Sequence, residues 1–571
     1  MKLLFDLEGN DLLPNLHTLW CGGAINIETG EEYLFSPDHM SLLDFQQLLC
    51  RAEEVIAHNA LGYDIPAMEK VGYLVSGPKV TDTLVLSKLV YPDLSERDFT
   101  QKNSPVPAKL LGRHSLEAWG YRLGMRKTSY DDFTQYTPEM LEYCMNDCRL
   151  LLQLYLKLRD RAPQGAIDLE HRIRRVCYEQ TANGFPFDHS KAQLLDSKLS
   201  ARRSELKQEM RDTFPPTVIQ LKTKAKVIPF NPGSRTQIAD RLMALGWKPT
   251  EFTETGQPKI DDDILDGIKD IPEAAKLAEL FMVQKRISQL SEGKQGWIKR
   301  AVNGRIHGEI DTLGTGTFRC SHSNPNMGQV PSCSAPYGKE CRELFHAPEG
   351  WKLMGCDVSR LELMVLAHYM NDEKFTEVML SGDVHQLLAD VYGTNRNTGK
   401  TVTYAFLYGA GMEKLGSIVD PTGTKQAKIA AGKKIHKNMQ ARLPALSNLI
   451  AGIKKAADSR QYLWALDRRK LPVRSSHSAL NFLCQSAGAI ICKQWVVNFH
   501  ESLRNRGYLN GVHYMQVAFV HDEVQVLCRE GYEEEIGQLC VAAIAKAGED
   551  LGLRLPITGE YKCGKSWSDT H

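Results

Sequence analysis

Phe519-Val520-His521-Asp522-Glu523-Val524-Gln525-Val526 sets two adjacent carboxylates between two apolar runs. Both flanks, Tyr514 to Val520 and Val524 to Cys528, are short and rich in apolar residues, as β-strands are, which puts His521 and Asp522 at a tight turn. Neighbouring carboxylates are costly there unless something neutralises them. Mg²⁺ does so well, because it takes one or two carboxylates and leaves its other positions to phosphates and water. An Asp-Glu pair at a hairpin is commonly no more than a solvated turn, so the metal reading needs partners elsewhere in the chain.

A partner stands upstream. Leu353-Met354-Gly355-Cys356-Asp357 reads as a strand ending in an acid, continuing through Val358-Ser359-Arg360-Leu361-Glu362-Leu363 into a helix. Asp357 at that strand end can meet Asp522, and two such acids are the minimum for a two-metal phosphoryl-transfer centre. Between them lies Arg396-x-x-x-Lys400-x-x-x-Tyr404-x-x-x-Tyr408-Gly409. Steps of four along an α-helix drift by only about 40° each, so these side chains form one slowly winding stripe. Its basic end suits the phosphates of a nucleoside triphosphate. Its aromatic end, Tyr404 and Tyr408, suits stacking against sugar and base.

The N-terminal third repeats the theme. Lys2 to Phe5 reads as a buried strand, and Asp6 and Glu8, two apart, point the same way. A second strand, Glu54 to His58, leads into Asn59-Ala60-Leu61-Gly62-Tyr63-Asp64. From Met140 the periodicity is helical through Leu158, with Tyr143 and Asp147 on one face as an i, i+4 pair. Asp6, Glu8, Asp64 and Asp147 with Tyr143 fit a second two-metal site, one ion activating water and the other stabilising the leaving oxygen of a phosphodiester. Asp82, in an apolar run, reads as a structural cap or supporting partner.

Composition bounds the rest. A chain of 571 residues implies several domains. Its net charge of +1 leaves nucleic-acid contact to local basic patches. Lys222, Lys224 and Lys226 form one such cluster; Arg396, Lys400, Lys433, Lys434, Lys437, Arg468, Arg469 and Lys470 supply others. The 14 cysteines include no C-x-x-C pair, which argues for reduced, mostly buried thiols in a cytoplasmic protein and against zinc fingers. No signal peptide and no bilayer-spanning apolar run is read. Asn183-Gly184-Phe185-Pro186-Phe187-Asp188 punctuates the chain as a turn between domains. Residues 189–300 read as mostly helical with basic loops, either a thumb gripping a duplex backbone or a plain helical linker. Asp261-Asp262-Asp263 reads as a helix cap.

Asp6-x-Glu8, Asn59 to Asp64, and Tyr143-x-x-x-Asp147 resemble the three motifs of the DEDDy proofreading 3′–5′ exonucleases. Asp357 to Leu363, Arg396 to Gly411, and Val520 to Glu523 resemble motifs A, B and C of family A (Pol I-like) DNA polymerases. Thr317-Phe318-Arg319 with Pro325 to Pro331, and Asn481 to Ala487, resemble that family's segment before motif A and its minor-groove-reading helix. The likeness covers nearly the whole chain and is strongest to the replicative polymerases of short-tailed bacteriophages, down to Asn183 to Asp188 and a His571 following Trp567.

The resemblance implies an α/β and α+β multidomain chain, an RNase H-like exonuclease followed by a right-hand polymerase. The boundaries expected are 1–165 for the exonuclease and 166–305 for a connecting helix and thumb. The palm's first part follows at 306–365, the fingers at 366–480, and the palm's second part at 481–571. It implies template-directed DNA synthesis with proofreading in phage DNA replication. Two Mg²⁺ ions would sit on Asp357 and Asp522, supported by Glu523, and two more on Asp6, Glu8, Asp64 and Asp147, with Tyr143 orienting water. His385, Arg396 and Lys400 would contact the triphosphate. Glu362 against Tyr408 would exclude a ribose 2′-hydroxyl, and Tyr404 stands where tyrosine in this family goes with dideoxynucleotide acceptance. His521 would lie near the primer end. Arg319 and Gln485 would donate to minor-groove acceptors present for every correct pair.

Primer–template DNA and dNTPs are the partners implied, with a phage helicase-primase and single-stranded-DNA-binding protein in a host-cell cytoplasm and no membrane. The span from Asp188 to Arg319 is too compact for the insertion by which some phage relatives recruit thioredoxin, so that partner is not expected. No 5′-nuclease domain is expected ahead of Asp6. The competing readings are a single-subunit RNA polymerase, disfavoured by Glu362 and the full exonuclease set, and a non-catalytic primer–template scaffold, disfavoured by the intact acids.

Overall fold

A computed structural model describes residues 1–13, 15–220 and 225–570. Two sheets carry the acids singled out above. The first has five strands in the order Glu32–Phe35, Leu19–Asn26, Lys2–Gly9, Glu54–Ala57, Lys79–Asp82. The first three pair antiparallel and the last two join in parallel, so the sheet is mixed. Leu3, Leu4 and Phe5 are fully buried at its centre, as the continuous apolar run predicts.

Helix Pro138–Leu158 lies across this sheet. Its close approach depends on Gly23, where a Cβ would come within 2.4 Å of the Met145 sulfur, and the Cys148 thiol donates to the Gly23 carbonyl. Asp82 is the cap expected. Its carboxylate accepts from the backbone N–H of Leu84, Asn59 and Leu61 at 2.9–3.1 Å. It thereby fixes the turn, with Asn59 at φ +68°, that delivers Asp64.

The second sheet is antiparallel throughout, in the order Tyr514–Val520, Glu523–Arg529, Trp351–Val358, Gly559–Gly564. Helices Ala479–Asn505 and Glu533–Asp550 pack on each other, and the second also packs on this sheet; the Trp495 indole donates to the Cys540 carbonyl at 2.9 Å. Almost all residues between 359 and 513 are helix, turn or short hairpin, so the sheet is interrupted by a large helical insertion.

In sequence between the two sheets lies helix His189–Thr213, capped by Asp188 accepting from the Lys191 N–H at 2.8 Å. It packs against helix Pro272–Ile287, and Arg202 grips Glu279 with two parallel bonds of 2.8 and 2.9 Å. Asp261 accepts from the Ile264 N–H, the cap its position suggests. The region is mostly helical, as read, but it also contains two short strands, Thr217–Gln220 and Ala225–Ile228, which pair antiparallel and are exposed. Consecutive β-branched residues, Thr217, Val218 and Ile219 on one strand and Val227 and Ile228 on the other, favour the pairing. Lys222 and Lys224 lie outside the described residues, and Lys226 sits on the second strand.

One expectation is corrected at the basic cluster 468–470. Arg469 is not a surface contact. It is 1% exposed and bonded to Glu170 at 2.5 Å and Asp467 at 2.6 Å. Lys493, equally buried, reaches Glu170 at 2.7 and 2.8 Å. Glu170→Ala would leave two buried cations short of an anion. We expect a loss of about 3–5 kcal/mol, read as a lower urea or thermal midpoint, whereas an unchanged midpoint would mean the cluster is not holding the helix Gln164–Asn183 in place.

All 14 cysteines are free, most of them buried. Among the described residues no helix is long and apolar enough to cross a membrane.

Candidate active sites

The first site grows from the hairpin quoted at the outset. Val520 and Glu523 are cross-strand partners, leaving His521 and Asp522 as a two-residue turn with His521 at φ +60°. The Val358 N–H donates to the Asp522 carbonyl at 3.1 Å, and Asp357 stands opposite Glu523 in the ladder. Main-chain bonding alone therefore joins the two acids expected to meet. Asp522 is pushed up to about 6, first by burial and then by the nearby Glu362 and Asp357 carboxylates, against the pull of Arg319.

Glu523 faces a support the motif does not announce. Its Oε1 accepts from the Trp567 indole and the Gln525 amide, both at 2.6 Å, and Thr570 in turn donates to Gln525 at 2.9 Å.

Glu362 lies in the first turn of helix Leu361–Met370 and accepts from the Tyr408 hydroxyl at 3.0 Å. Tyr408 is 47% exposed. It stands one residue past helix Arg396–Leu407, although its N–H still bonds the Tyr404 carbonyl at 2.9 Å. Its own carbonyl accepts from Asn481 at 3.1 Å. The Tyr404 ring lies 6.2 Å from that of His385, whose buried Nδ1 has no partner. Burial, then Lys400 and Arg396, hold the His385 imidazole below its ordinary range. Lys400 is exposed. Arg396 is half-exposed and pairs at 2.6 Å with Asp383, which also caps the helix carrying His385.

Arg319 follows Phe318, held at φ +63° with the Arg469 guanidinium 4.9 Å over its ring. The Arg319 charge acts on Asp522, His521 and Tyr408 alike. Gln485 meets the Thr317 hydroxyl at 3.5 Å. An open cleft of about 1250 Å³ is lined by Lys207, Arg235, Lys285 and Lys294 with Asn324 and Gln329.

The second site gathers Asp6 and Glu8 from the central strand, Asp64 from the start of a short helix, and Tyr143 and Asp147 from one face of helix Pro138–Leu158. Carboxylate oxygens of Asp6 and Glu8 and the Cys144 sulfur lie within 4.8 Å of one another. Asp64 and Asp147 are each 2% exposed, and each keeps one buried carboxylate oxygen without a partner. Burial followed by mutual repulsion lifts Asp6 to about 8 and Glu8 to about 10, and raises Asp64 as well. Burial also raises Asp147, against the pull of Lys127. Acids crowded in this way with unpartnered oxygens fit divalent cations. The spacing of the acids gave no hint of Lys127, whose ammonium pairs with Asp147.

The chain is similar to known proteins along most of its length. A family model described as DNA polymerase family A matches residues 197–569. The DNA-directed DNA polymerases of Escherichia phage T7 and Enterobacteria phage T3 are 32% and 31% identical to this chain, each alignment covering 100% of both proteins. The T3 alignment runs over 706 positions, so that relative carries segments this shorter chain lacks. Among solved structures, the POL domain of Pol1 from M. smegmatis, in complex with DNA primer-template and dNTP, has the same fold. Its TM-score is 0.78 at 16% identity, over 99% of this chain and 95% of that one. The chain belongs to DNA polymerase family A.

Proposed function

We propose that this chain extends a DNA primer along a DNA template at the first site and removes 3′-terminal nucleotides at the second. The observation carrying the first activity is the convergence of Asp357, Asp522 and the Glu362–Tyr408 pair in a family A chain. Asp357 and Asp522 would hold two Mg²⁺ ions, and Asp6, Glu8, Asp64 and Asp147 two more. Bound there, the ions supply charge to the reacting phosphate and ionise water or hydroxyl.

The chain's own part is mostly positioning and charge. The primer 3′-oxygen attacks the α-phosphorus and pyrophosphate leaves, its charge met by Lys400 and Arg396. Arg396 must exchange Asp383 for phosphate, which its half-exposed side chain permits. Glu523, fixed by Trp567 and Gln525, keeps the hairpin tip in place. Tyr404 and His385 face the base and triphosphate. The cleft lysines suit a duplex backbone, and Arg319, Gln485 and His521 its primer end. At the second site Tyr143 orients the attacking water.

Primer–template DNA and dNTPs are the substrates on this reading. A host-cell cytoplasm is the setting, with a helicase-primase and single-stranded-DNA-binding protein as replication partners.

A labelled primer on a longer template with Mg²⁺ tests both activities. Extension with dNTPs and shortening without them are expected; a primer bound but never altered would sink the reading in favour of a scaffold. Glu362→Ala removes the acceptor of the Tyr408 hydroxyl and opens the space beside the sugar. We expect the ribonucleotide-to-deoxynucleotide ratio of kcat/KM to rise about 10- to 100-fold. An unchanged ratio would assign sugar selection elsewhere.

A further inference from the structure

Lys127 lies on the segment between helices Leu116–Leu123 and Pro138–Leu158. Its side chain is 25% exposed. Its ammonium pairs with Asp147 and stands 4.6 Å from the centroid of the Tyr143 ring. The same charge draws down Asp6 and Glu8 against their mutual repulsion. The simplest role for such an ammonium is to neutralise one buried carboxylate. Two observations ask for more. Asp147 keeps an unpartnered buried oxygen beside it, so the pair is not a closed structural salt bridge. The ammonium also sits over the ring of Tyr143, the residue read as orienting the attacking water.

Charge balance favours a substrate contact. Four carboxylates and one phosphodiester sum to five negative charges, and two divalent ions supply four positive ones. In a site this buried an uncompensated charge is expensive, and Lys127 supplies the fifth. The lysine stem is long enough to carry a point charge from Asp147 to a phosphate oxygen without moving the backbone. We propose that Lys127 is a further catalytic residue of the second site, its ammonium meeting a non-bridging oxygen of the scissile phosphodiester. This rests on the exonuclease reading above. In the step, the water oxygen bonds to phosphorus and the P–O3′ bond breaks. One water proton goes to the departing O3′, and the other leaves to solvent as the released deoxynucleoside 5′-monophosphate ionises. The product carries more charge than the diester, so the contact strengthens as the bond breaks.

The full chain, with Lys127→Ala and Lys127→Arg variants, is given a labelled single-stranded oligonucleotide in Mg²⁺ for single-turnover degradation. Thymidine 5′-monophosphate is titrated separately by calorimetry in Mg²⁺, and primer extension reports folding. Lys127→Ala is expected to slow degradation about 100-fold, the scale of losing one charge-stabilising group. It should weaken monophosphate binding about tenfold and leave extension intact, with Lys127→Arg recovering most of both losses. Degradation by Lys127→Ala at the wild-type rate, or a loss of rate with unchanged monophosphate affinity, would overturn the role alone. A wild type that extends primers yet never shortens a strand would overturn the exonuclease reading and this role with it.

Discussion

Asp522→Ala is expected to lower primer extension by about 1000-fold or more while degradation of a single strand continues at the wild-type rate. Loss of charge stabilisation worth several kcal/mol corresponds to about three decades at 1.36 kcal/mol each. The turn itself should survive, because main-chain groups hold it: the Val358 N–H to the Asp522 carbonyl, and the Val520–Glu523 pairing. The carboxylate is repelled by Glu362 and Asp357, so its removal relieves strain between like charges. The variant should melt at or above the wild-type temperature, as a group kept for function at a cost in stability does. Single-turnover extension and a thermal melt check both halves. Residual extension within tenfold of wild type would remove Asp522 from the chemistry.

The mirror experiment is Asp6→Ala with Glu8→Ala. Degradation should fall by about 1000-fold or more, with extension retained. Asp6 and Glu8 are lifted to about 8 and about 10 by burial and mutual repulsion. At neutral pH the metal-free wild type must therefore hold these carboxyls protonated, a cost that the variant lacks. A ligand that binds only the folded chain raises its melting point, so Mg²⁺ should stabilise the wild type more than the double variant. Equal stabilisation by Mg²⁺, or loss of extension together with degradation in a folded variant, would mean that the two carboxylate clusters do not act separately.

Much of this was legible because short-range periodicity fixes it. Asp6 and Glu8 share a face because strands alternate, Tyr143 and Asp147 because helices turn in about four residues, and the turn at His521-Asp522 lies between two apolar runs. Caps at Asp82 and Asp261 follow from the same local chemistry. What escaped the sequence depends on contacts between distant segments. Lys127 reaches Asp147 from a loop without periodicity. Trp567, Gln525 and Thr570 brace Glu523 through hydrogen bonds among side chains up to 45 residues apart in sequence. Arg469 looked like part of a solvated basic run, yet its partner Glu170 lies 299 residues away. The strand Gly559–Gly564 is half-polar and declares itself only by pairing with Trp351–Val358. The paired strands Thr217–Gln220 and Ala225–Ile228 are the exception, since the consecutive β-branched residues Thr217, Val218 and Ile219 are a local strand signal.

The two sheets also differ in how far apart their strands lie along the chain. Every strand of the first falls between Lys2 and Asp82, whereas Trp351–Val358 must find Glu523–Arg529 and Gly559–Gly564 across the whole helical insertion. Closing long loops costs entropy before the contacts they permit can repay it, and non-local pairing slows folding. The order of assembly follows: the cluster of Asp6, Glu8, Asp64 and Asp147 can form from a chain still open beyond Asn183, while Asp357 and Asp522 meet late. A refolding population should therefore pass through molecules able to shorten a primer before it contains molecules able to lengthen one.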